Sequence, residues 1–519
     1  MTLAAYCERN DLSTNEMLEY CALVRSAAQT PRAERGISRR DFLKGAAVAA
    51  AGLAMPPSLL KFGPTATAPR IVIVGAGIAG LAAAYRLQQA GVPSQVIEAN
   101  QRVGGRMYTL RNSFPDGQLA ELGGELIDSD HESLLGFADE LGLTVTDLFA
   151  ADGDLETELF FFDGRQIPFT EIVETFRPVA AAIISDLATL TGDGDVTYAT
   201  PNNGEALDIS MAAWFDRHEI GSVIRKILDV AYVGEYGLEI EEQSAFNLLW
   251  LIETDEGEFS VYGSSDERYH IAEGNDSIPW GLADRLETPV QLETQLEAIR
   301  QMSDNRYRLT VNQAGTVTDM DADLVVLAIP FTVLRQVDIQ VDLPDVKRRA
   351  IDELGYGVNS KLMVAFTERI WQNYGSNGST FTDLGYQATW DTSRGQPGTA
   401  GILTNFLGGR RSLEAGEMLT SAQTREFLAQ LDQVFPGAAD AYAGEAFRFF
   451  WPGNPLALGS FSCYKPGQVV GFRGAEMEPV GGLHFAGEHT SLDYQGYMNG
   501  GSESGERVAS EILEAIAVR

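Results

Sequence analysis

The stretch Ile71–Arg106 constrains the fold most, because it combines a strand, a glycine turn and a helix. The apolar run Ile71–Val74 predicts a buried strand, and the Ala- and Leu-rich residues after the turn predict a helix. In such a turn the first glycine permits a tight bend, the second lets backbone N–H groups approach a phosphate, and the third lets helix and strand pack closely. The matching positions are Gly75, Gly77 and Gly80, with Ala79 in the first helical turn. The pattern predicts a Rossmann-like α/β unit that binds the pyrophosphate of a dinucleotide at a helix N-terminus.

An acidic residue and a second pair of glycines extend this unit. The second predicted strand, Ser94–Ile97, is followed by Glu98, which lies 18 residues after Gly80 and suits a ribose hydroxyl. A carboxylate there would repel a 2′-phosphate. The next glycine pair, which ends at Gly105, brings the backbone near the cofactor, and the Arg106 guanidinium can meet its phosphates.

This glycine pair and its arginine, at that distance from the acid, resemble the flavin-containing amine oxidase family of monoamine, polyamine and L-amino acid oxidases. The resemblance extends from about Pro69 to the C-terminus and implies FAD rather than NAD. It also implies a Rossmann-like FAD-binding domain with a discontinuous α+β substrate-binding domain. The expected divisions are a leader at 1–68, FAD-binding segments at 69–146, 271–345 and 456–519, and substrate segments at 147–270, mostly helical, and 346–455.

The C-terminal motifs carry the second part of the resemblance. In the family, the turn matched by Gly487-Glu488 approaches the ribityl chain and the pyrophosphate of FAD. The turn matched by Gly496-Tyr497-Met498 opens a helix whose first N–H groups face the flavin pyrimidine. The dipole of that helix would stabilise an anionic reduced flavin.

Three other positions take their roles from the resemblance alone. Gly123 and Gly124 match a turn beside the flavin, and Leu296 matches a short strand whose backbone packs against the adenine. Lys361 matches a lysine that is hydrogen-bonded through water to flavin N5. An ammonium there would stabilise negative charge on the reduced flavin and orient O2 or water. The alternative is an ordinary lysine at the start of a strand.

Two neighbouring residues bear on the substrate. L-amino acid oxidases of this family carry, at the position of Leu126, an arginine that pairs with the substrate carboxylate, so an amino acid substrate would need another cation here. Glu125 places a negative charge near the pocket and can hold a guanidinium or an ammonium. A surface or backbone-bonding role for Glu125 is the alternative.

Aromatic residues are expected to enclose the amine. By position Phe461 and Tyr497 flank it, and Trp390 faces the cavity, with core packing as the alternative for Phe461. Aromatic walls keep the site dry, and desolvation favours the neutral amine that can be oxidised. In the stretch where monoamine oxidases attach flavin through a cysteine, this chain has Ser460, while Cys463 is three residues out of place. We therefore predict non-covalent FAD.

The N-terminal region resembles a twin-arginine export signal. Residues 38–44 read Ser-Arg-Arg-Asp-Phe-Leu-Lys and precede the apolar run Gly45–Met55, which is shorter than the roughly 20 residues that span a bilayer. This predicts a periplasmic or secreted protein with no stable membrane anchor, or a cytoplasmic one if the leader is retained. Twin-arginine export carries folded proteins, which suits an enzyme that acquires FAD first.

Composition restricts the partners. Asp and Glu number 73 against 38 Lys and Arg, a net charge of −35 that argues against nucleic acid and anionic membranes. A solvated acidic surface accounts for most of that charge, and a cationic substrate or a saline habitat is compatible with it. The three cysteines and five histidines show no ligand spacing, so we predict no metal. A homodimer is an allowed assembly.

The expected activity is that of an L-amino acid oxidase acting on basic substrates such as L-arginine or L-lysine. It would yield a 2-oxo acid, ammonia and H2O2, with a small-molecule amine or amino acid and O2 as partners. A polyamine or monoamine oxidase is the close alternative, and a related flavin desaturase is a further one. A non-catalytic FAD-binding module is the alternative of another class.

The coarse secondary structure between the motifs is also predicted. Strands are expected at 158–162, 166–169 and 290–292. Helices are expected from Asp130 onward and at 171–190, 211–218 and 242–252.

Overall fold

The computed structural model describes residues 69–192, 195–255 and 257–518, so the predicted export signal lies outside the described residues. In this part of the chain no helix combines the length and apolarity needed to cross a membrane. The strands are β1 Ile71–Val74, β2 Ser94–Ile97, β3 Thr109–Leu110, β4 Ala120–Glu121, β5 Val145–Asp147, β6 Leu159–Phe162, β7 Arg165–Gln166, β8 Tyr269–Ile271, β9 Thr294–Gln301, β10 Tyr307–Gln313, β11 Thr316–Ala322, β12 Leu324–Leu327, β13 Asp338–Gln340, β14 Ser360–Phe366, β15 Thr380–Thr382, β16 Ala388–Asp391, β17 Gly401–Leu407, β18 Tyr442–Phe450 and β19 Leu483–Phe485. The α-helices are α1 Ile78–Gln89, α2 Glu132–Leu141, α3 Leu148–Asp152, α4 Phe169–Leu187, α5 Met211–Arg217, α6 Ser222–Tyr236, α7 Phe246–Leu249, α8 Ser277–Asp284, α9 Phe331–Leu334, α10 Asp345–Glu353, α11 Gly409–Glu417, α12 Thr420–Val434, α13 Gln468–Phe472 and α14 Met498–Val518.

A parallel four-stranded sheet in the order β19-β12-β1-β2 forms the first layer. Val72 pairs with Val325 on one side and with Gln95 on the other, and Val326 pairs with His484. The two central strands, β1 and β12, are apolar and buried at every residue, as expected for a sheet covered on both faces, whereas β2 begins with the partly exposed Ser94 and Gln95. Because the strands run in one direction, their carboxyl ends meet at one edge, which is where such sheets bind ligands.

A seven-stranded sheet in the order β18-β14-β17-β16-β15-β6-β7 forms the second layer. Its pairs are antiparallel except for β15 with β6. In β14, Lys361 lies between Phe406 of β17 and Phe449 of β18. Helix α6 packs on β6, β15, β16 and β17, and Tyr232 of that helix is fully buried. A smaller sheet, β11-β10-β9-β13, carries Leu296 in β9.

The predicted fold class is confirmed, whereas several element predictions were wrong. The helix expected at 242–252 is reduced to Phe246–Leu249, and the strand expected at 290–292 is reduced to one bridge at Gln291. Phe169 opens α4 instead of closing a strand, because the preceding Pro168 is extended and ends the strand pair. Helix α2 begins at Glu132, two residues after the expected cap.

Helix α6 was not predicted, although its sequence contains the signal. Its buried residues follow the i, i+3, i+4, i+7 pattern of an amphipathic helix. Gly237 ends it in the left-handed conformation, with φ of 69°. The omission matters because this helix supplies part of the cavity wall described below.

Two glycines inside helices provide a test of the packing. A Cβ on Gly505 of α14 would lie 2.3 Å from the carbonyl oxygen of Ala79 in α1, whereas a Cβ on the exposed Gly136 of α2 would meet nothing within 4 Å. We expect Gly505→Ala to lower the free energy of unfolding by about 1–3 kcal/mol, because it forces α1 and α14 apart. Gly136→Ala should raise that free energy by about 1 kcal/mol through helix propensity. Urea unfolding of both variants measures this, and destabilisation by both would contradict the packing described here.

Candidate active site

One continuous cavity of about 770 Å³ connects the carboxyl edge of the four-stranded sheet with the inner face of the seven-stranded sheet. Eighteen of the residues predicted to bind cofactor or substrate line it. These are Gly75, Gly77, Ala79, Glu98, Gly105, Arg106, Gly123, Gly124, Glu125, Leu126, Leu296, Lys361, Trp390, Phe461, Gly487, Glu488, Tyr497 and Met498. Gly80 does not line it, since a Cβ there would lie 2.0 Å from the carbonyl oxygen of Gly75. Gly80 therefore acts through packing, as expected for the third glycine of the turn, and its assignment to the cofactor site stays a prediction.

The glycine turn after β1 forms the first part of the cavity. Gly75 has φ of 106°, and a Cβ on it would lie 2.5 Å from the carbonyl oxygen of Ala328. A Cβ on Gly77, by contrast, would meet nothing within 4 Å and would occupy the cavity itself. The first turn of α1 contains no acidic residue. This cradle suits a phosphate held at a helix N-terminus.

Glu98 is fixed by backbone groups at the same edge. Its Oε2 accepts a hydrogen bond from the N–H of Ala76 at 2.7 Å, and its Oε1 accepts one from the N–H of Asn100 at 2.7 Å. Burial outweighs these bonds and raises the pKa of Glu98 above its ordinary value. The carboxyl group therefore braces the glycine turn while it lines the part of the cavity expected for the ribose.

An ion pair joins the first glycine–arginine motif to the C-terminal one. Nη1 of Arg106 donates to Glu488 Oε1 at 2.7 Å and to the carbonyl oxygen of Ser460 at 2.9 Å. Glu488 also accepts from the N–H of Gly496 at 2.9 Å and from the hydroxyl of Ser462 at 2.5 Å. Burial raises the pKa of Glu488, but the Arg106 charge together with the hydrogen bonds from Ser462 and Arg106 outweighs burial and leaves that pKa below its ordinary value. The expected phosphate partner Arg106 thus has a protein carboxylate as its main partner.

The second glycine pair lies against a second helix terminus. A Cβ on Gly123 would lie 1.7 Å from the carbonyl oxygen of Arg106, and a Cβ on Gly124 would lie 2.6 Å from the sulfur of Met498. Met498 opens α14, whose first turn contains no acidic residue. Two helix N-termini and a backbone-lined edge fit a dinucleotide whose pyrophosphate and pyrimidine ring carry negative charge. The residues present therefore fit FAD.

Lys361 projects from β14 into the same cavity, but its hydrogen bonds differ from the expected ones. Its Nζ donates to the carbonyl oxygens of Gly123 at 2.7 Å and Glu121 at 3.2 Å, and to Glu125 Oε2 at 2.7 Å. An ammonium has three donors, and all three are used by the protein. The predicted water bridge would have to displace one of them, and the bond to Glu121 is the longest.

Glu125 was predicted to offer a free negative charge to the substrate, and the structure gives that charge a partner inside the protein. Besides Lys361, it accepts a hydrogen bond from the hydroxyl of Thr392 at 2.8 Å. Burial raises the pKa of Glu125, but the Lys361 charge together with the hydrogen bonds to this carboxylate outweighs burial and lowers that pKa below its ordinary value. The carboxylate is ionised and its charge is compensated, so it adds little attraction for a cationic substrate.

Aromatic side chains line the substrate end of the cavity. Trp390 packs on Phe406 with ring centroids 5.4 Å apart, and the Lys361 ammonium lies 5.2 Å from the Trp390 ring centroid. Phe461 contacts the turn that carries Tyr497, because a Cβ on Gly496 would lie 3.3 Å from the Phe461 ring. The wall also includes Tyr236 and Tyr262, two of the aromatic residues that the sequence offered as pocket candidates in the helical segment. Phe259, Phe381 and Phe406 complete it and were not expected from the sequence.

Three carboxylic acids, Glu158, Glu235 and Glu267, line the same end and were missed from the sequence. They retain some accessible surface because they face the cavity, yet protein surrounds them. Burial raises the pKa of Glu158 to about 7. Burial and the charge of Asp128 raise the pKa of Glu235 to about 7, and burial with the charges of Glu235 and Asp128 raises that of Glu267 to about 8. No described cation forms an ion pair with any of the three.

No motif could have found these acids, since they come from different parts of the fold. Glu158 precedes β6, Glu235 lies near the end of α6, and Glu267 lies in the loop before β8. Arg394, in the loop after β16, also lines the cavity and was also missed. Only the packing of these elements around one cavity brings the four together.

A group of possible metal ligands lies behind this wall, formed by Asp128, Asp130 and His131 with ligand atoms within 4.8 Å of one another. The N–H of Asp128 donates to His131 Nδ1 at 3.0 Å. In the neutral ring this leaves the proton on Nε2, and burial lowers the pKa of His131 so that the ring is neutral. The ring then has no free lone pair, so the group does not suit a metal. The predicted lack of a metal stays a prediction.

The family model for flavin containing amine oxidoreductases matches residues 78–513, which begin at the first turn of α1, directly after the glycine turn, and include the Lys361 strand and the C-terminal turn. The chain belongs to the flavin-containing amine oxidoreductase family. Its cofactor is therefore FAD, as predicted. Like other amine oxidoreductases of the family, it acts on a small amine.

Relatives and solved structures agree with this assignment. The Bacillus subtilis (strain 168) protein YobN, a candidate L-amino-acid oxidase by its name, is 26% identical over 469 residues, covering 85% of this chain and 94% of the relative. A flavin-containing amine oxidase of Danio rerio is 25% identical over 465 residues, covering 87% of each chain. Cyclohexylamine oxidase from Brevibacterium oxydans has the same fold, with a TM-score of 0.74 at 24% identity over 86% of this chain and 99% of that one.

The leader is also identified by comparison. A model of the twin-arginine translocation signal matches residues 36–56, which contain Arg39 and Arg40. This amine oxidoreductase is therefore exported by the twin-arginine route, as predicted.

A double-mutant cycle tests the buried pair at the centre of the amine oxidoreductase site. Glu125→Gln and Lys361→Met should each lower the free energy of unfolding by about 3 kcal/mol, because each leaves one buried charge unpaired. The double variant should be destabilised by less than the sum, because it removes both charges. Thermal unfolding of the flavin-loaded proteins measures the coupling. Simple additivity would show that the two charges do not depend on each other.

Proposed function

We propose that this flavoenzyme oxidises a small amine that carries a second positive charge. The first candidate substrates are basic L-amino acids such as L-arginine and L-lysine, which would yield a 2-oxo acid, ammonia and H2O2. Di- and polyamines are the second candidates. The activity would be oxidative deamination with O2 as the electron acceptor.

One observation carries the proposal, namely the three carboxylic acids without cationic partners at the substrate end. A guanidinium or ammonium placed among Glu158, Glu235 and Glu267 would form charge-assisted hydrogen bonds with these carboxylates, whose ionised form is otherwise disfavoured by burial. An uncharged substrate would leave them unpaired. The sequence favoured a cationic substrate through Glu125 and the net negative charge, and these three acids now replace Glu125 in that argument.

The protein positions the amine and keeps water away from it. When FAD is bound, it supplies the redox chemistry, taking a hydride equivalent from the carbon that bears the amine and passing electrons to O2. The aromatic wall formed by Trp390, Phe461 and Tyr497 encloses the reacting amine and favours its neutral form. The ion pair of Lys361 with Glu125 keeps this wall close to neutral, so it does not oppose deprotonation of the amine.

The two substrate classes are favoured by different observations. Two observations favour a polyamine. The apolar Leu126 lies where amino acid oxidases of the family have an arginine, and the three acids without ion-pair partners suit a molecule with several ammonium groups. Arg394 in the cavity wall favours an amino acid, because it offers a cation to a carboxylate. The relatives include an L-amino-acid oxidase of Siganus canaliculatus and polyamine oxidase 5 of Oryza sativa, so they do not favour one class over the other.

We also propose that FAD is held without a covalent bond. Ser460 lines the cavity where a linking cysteine would be expected. Cys463 is fully buried, does not line the cavity, and accepts a hydrogen bond from the side-chain amide of Asn247 at 3.3 Å. Burial raises the pKa of its thiol far above the usual range, which makes it a poor nucleophile.

Anaerobic mixing tests the function directly. The purified yellow protein should lose its flavin absorbance with L-arginine, L-lysine or spermidine, and much more slowly with L-leucine or benzylamine. Readmitting air should restore the colour and release H2O2. A parallel sample unfolded in guanidinium should release all its flavin through a filter. Bleaching by benzylamine alone would contradict the cationic substrate, and flavin retained by the unfolded chain would contradict non-covalent binding.

The pH dependence provides a second test, since acids with pKa values near 7 to 8 are neutral below that range and attract cations only above it. For cationic substrates kcat/KM should therefore rise more steeply between about pH 6 and pH 9 than for benzylamine. Benzylamine is the reference because deprotonation of the reacting amine raises kcat/KM for every substrate over this range.

A substitution provides a further test of the same acids. Glu267→Gln should lower kcat/KM for L-arginine about 10- to 100-fold and leave kcat/KM for benzylamine nearly unchanged. The exposed Glu174→Gln is the matched control. Equal losses for both substrates would remove these acids from substrate binding.

A further inference from the structure

We infer that Arg394 binds an α-carboxylate, so that basic L-α-amino acids, rather than di- or polyamines, are the substrates of this site. The inference rests on the proposed function and names its substrate class. It also answers a question raised by the sequence, which is what replaces the arginine that amino acid oxidases of the family carry at the position of Leu126.

The guanidinium of Arg394 is anchored on two of its three nitrogens. Nε donates to the carbonyl oxygen of Asp391 at 3.2 Å, and Nη1 donates to Asp152 Oδ2 at 3.1 Å. No described residue accepts a hydrogen bond from Nη2. The side chain is about 10% exposed and lines the cavity. One nitrogen of a nearly buried guanidinium is therefore available to a ligand.

The anchor itself is rigid. Asp152 is 4% exposed and also accepts a hydrogen bond from the side-chain amide of Asn377 at 3.0 Å. All three side chains line the cavity. A guanidinium held in this way loses little conformational freedom when it binds a carboxylate, which is the arrangement expected of a recognition site.

The other cations in the cavity wall form hydrogen bonds or ion pairs with protein groups. Lys361 donates to three protein oxygens, and Arg106 pairs with Glu488. Arg102 donates to the carbonyl oxygens of Val103 and Gly105 at the cofactor end. Among the described residues that line the cavity, Arg394 is the remaining candidate for a substrate carboxylate.

Arg394 also lies close enough to the acidic wall to serve the same molecule. Arg394 and Glu267 both line the cavity, and the Arg394 charge opposes the effect of burial on the pKa of Glu267. A basic amino acid would present its carboxylate to Arg394 and its cationic side chain to Glu235 and Glu267. A diamine would present a positive charge to Arg394, which is unfavourable.

Substrate pairs that differ only by the carboxylate test this. L-arginine is compared with agmatine, and L-lysine with cadaverine. We expect the wild-type enzyme to prefer each amino acid, and Arg394→Gln to lower kcat/KM for L-arginine about 30- to 100-fold, since a charge-assisted bond is lost. The same variant should change kcat/KM for agmatine by less than about threefold. Arg394→Lys should recover part of the loss, and Arg306→Gln, on an exposed hairpin, is the matched control.

A binding measurement separates recognition from turnover. The probe is 5-guanidinopentanoate, which has the carboxylate and guanidinium of arginine but no amine to oxidise. Its dissociation constant, read from the change in flavin absorbance, should rise in Arg394→Gln by the same factor as kcat/KM for L-arginine falls.

Three results would overturn the inference: equal losses for L-arginine and agmatine, unchanged affinity for 5-guanidinopentanoate, or a wild-type preference for agmatine and cadaverine. The last would leave the proposed oxidation of cationic amines intact. Failure of the wild-type flavin to be reduced by any of the four cationic substrates would instead contradict the proposed function itself.

Discussion

The ion pair between Arg106 and Glu488 holds the cofactor edge together. Its partners are 382 positions apart in the chain, and the Glu488 side chain is only 6% exposed. Through Ser460, Ser462 and the N–H of Gly496, the same two side chains tie the first glycine–arginine turn to the C-terminal helix entrance. The rest of the site depends on this contact, because the phosphate end and the flavin end of the cavity come from opposite ends of the sequence.

The charges in the cavity wall fall into two groups. Lys361 with Glu125, and Arg394 with Asp152, are ion pairs whose members come from separate elements. Glu158, Glu235 and Glu267 have no such partner, and burial raises the pKa of each. A paired carboxylate is already compensated, whereas an unpaired one gains from a cation that enters the cavity. In the proposed function, selectivity for a charged substrate therefore depends on Glu158, Glu235 and Glu267 and not on Glu125, the acid that the sequence analysis selected.

The accuracy of the sequence predictions follows the range of the interactions involved. The strand, turn and helix from Ile71 to Gln89 were predicted closely, because their geometry follows from neighbouring residues. The packing role predicted for Gly80 agrees with the close approach of α1 to the turn, where a Cβ would lie 2.0 Å from the carbonyl oxygen of Gly75. The role of Lys361 came by analogy, and the analogy did not include Glu125 as its partner. Helix α6 was missed despite a clear amphipathic pattern, and Glu235 was missed with it.

The sequence by itself determined the strand, glycine turn and helix of the α/β fold, because their geometry follows from neighbouring residues. The FAD cofactor, the family and the export signal were predicted from the resemblance of contiguous motifs to known families. Only the tertiary structure decided which charges are compensated and which face the substrate. Lys361 and Glu125 are 236 positions apart, and Arg394 and Asp152 are 242 apart. Such contacts form when sheets and helices pack around a cavity, and the spacing of residues along the chain does not predict which side chains will meet there.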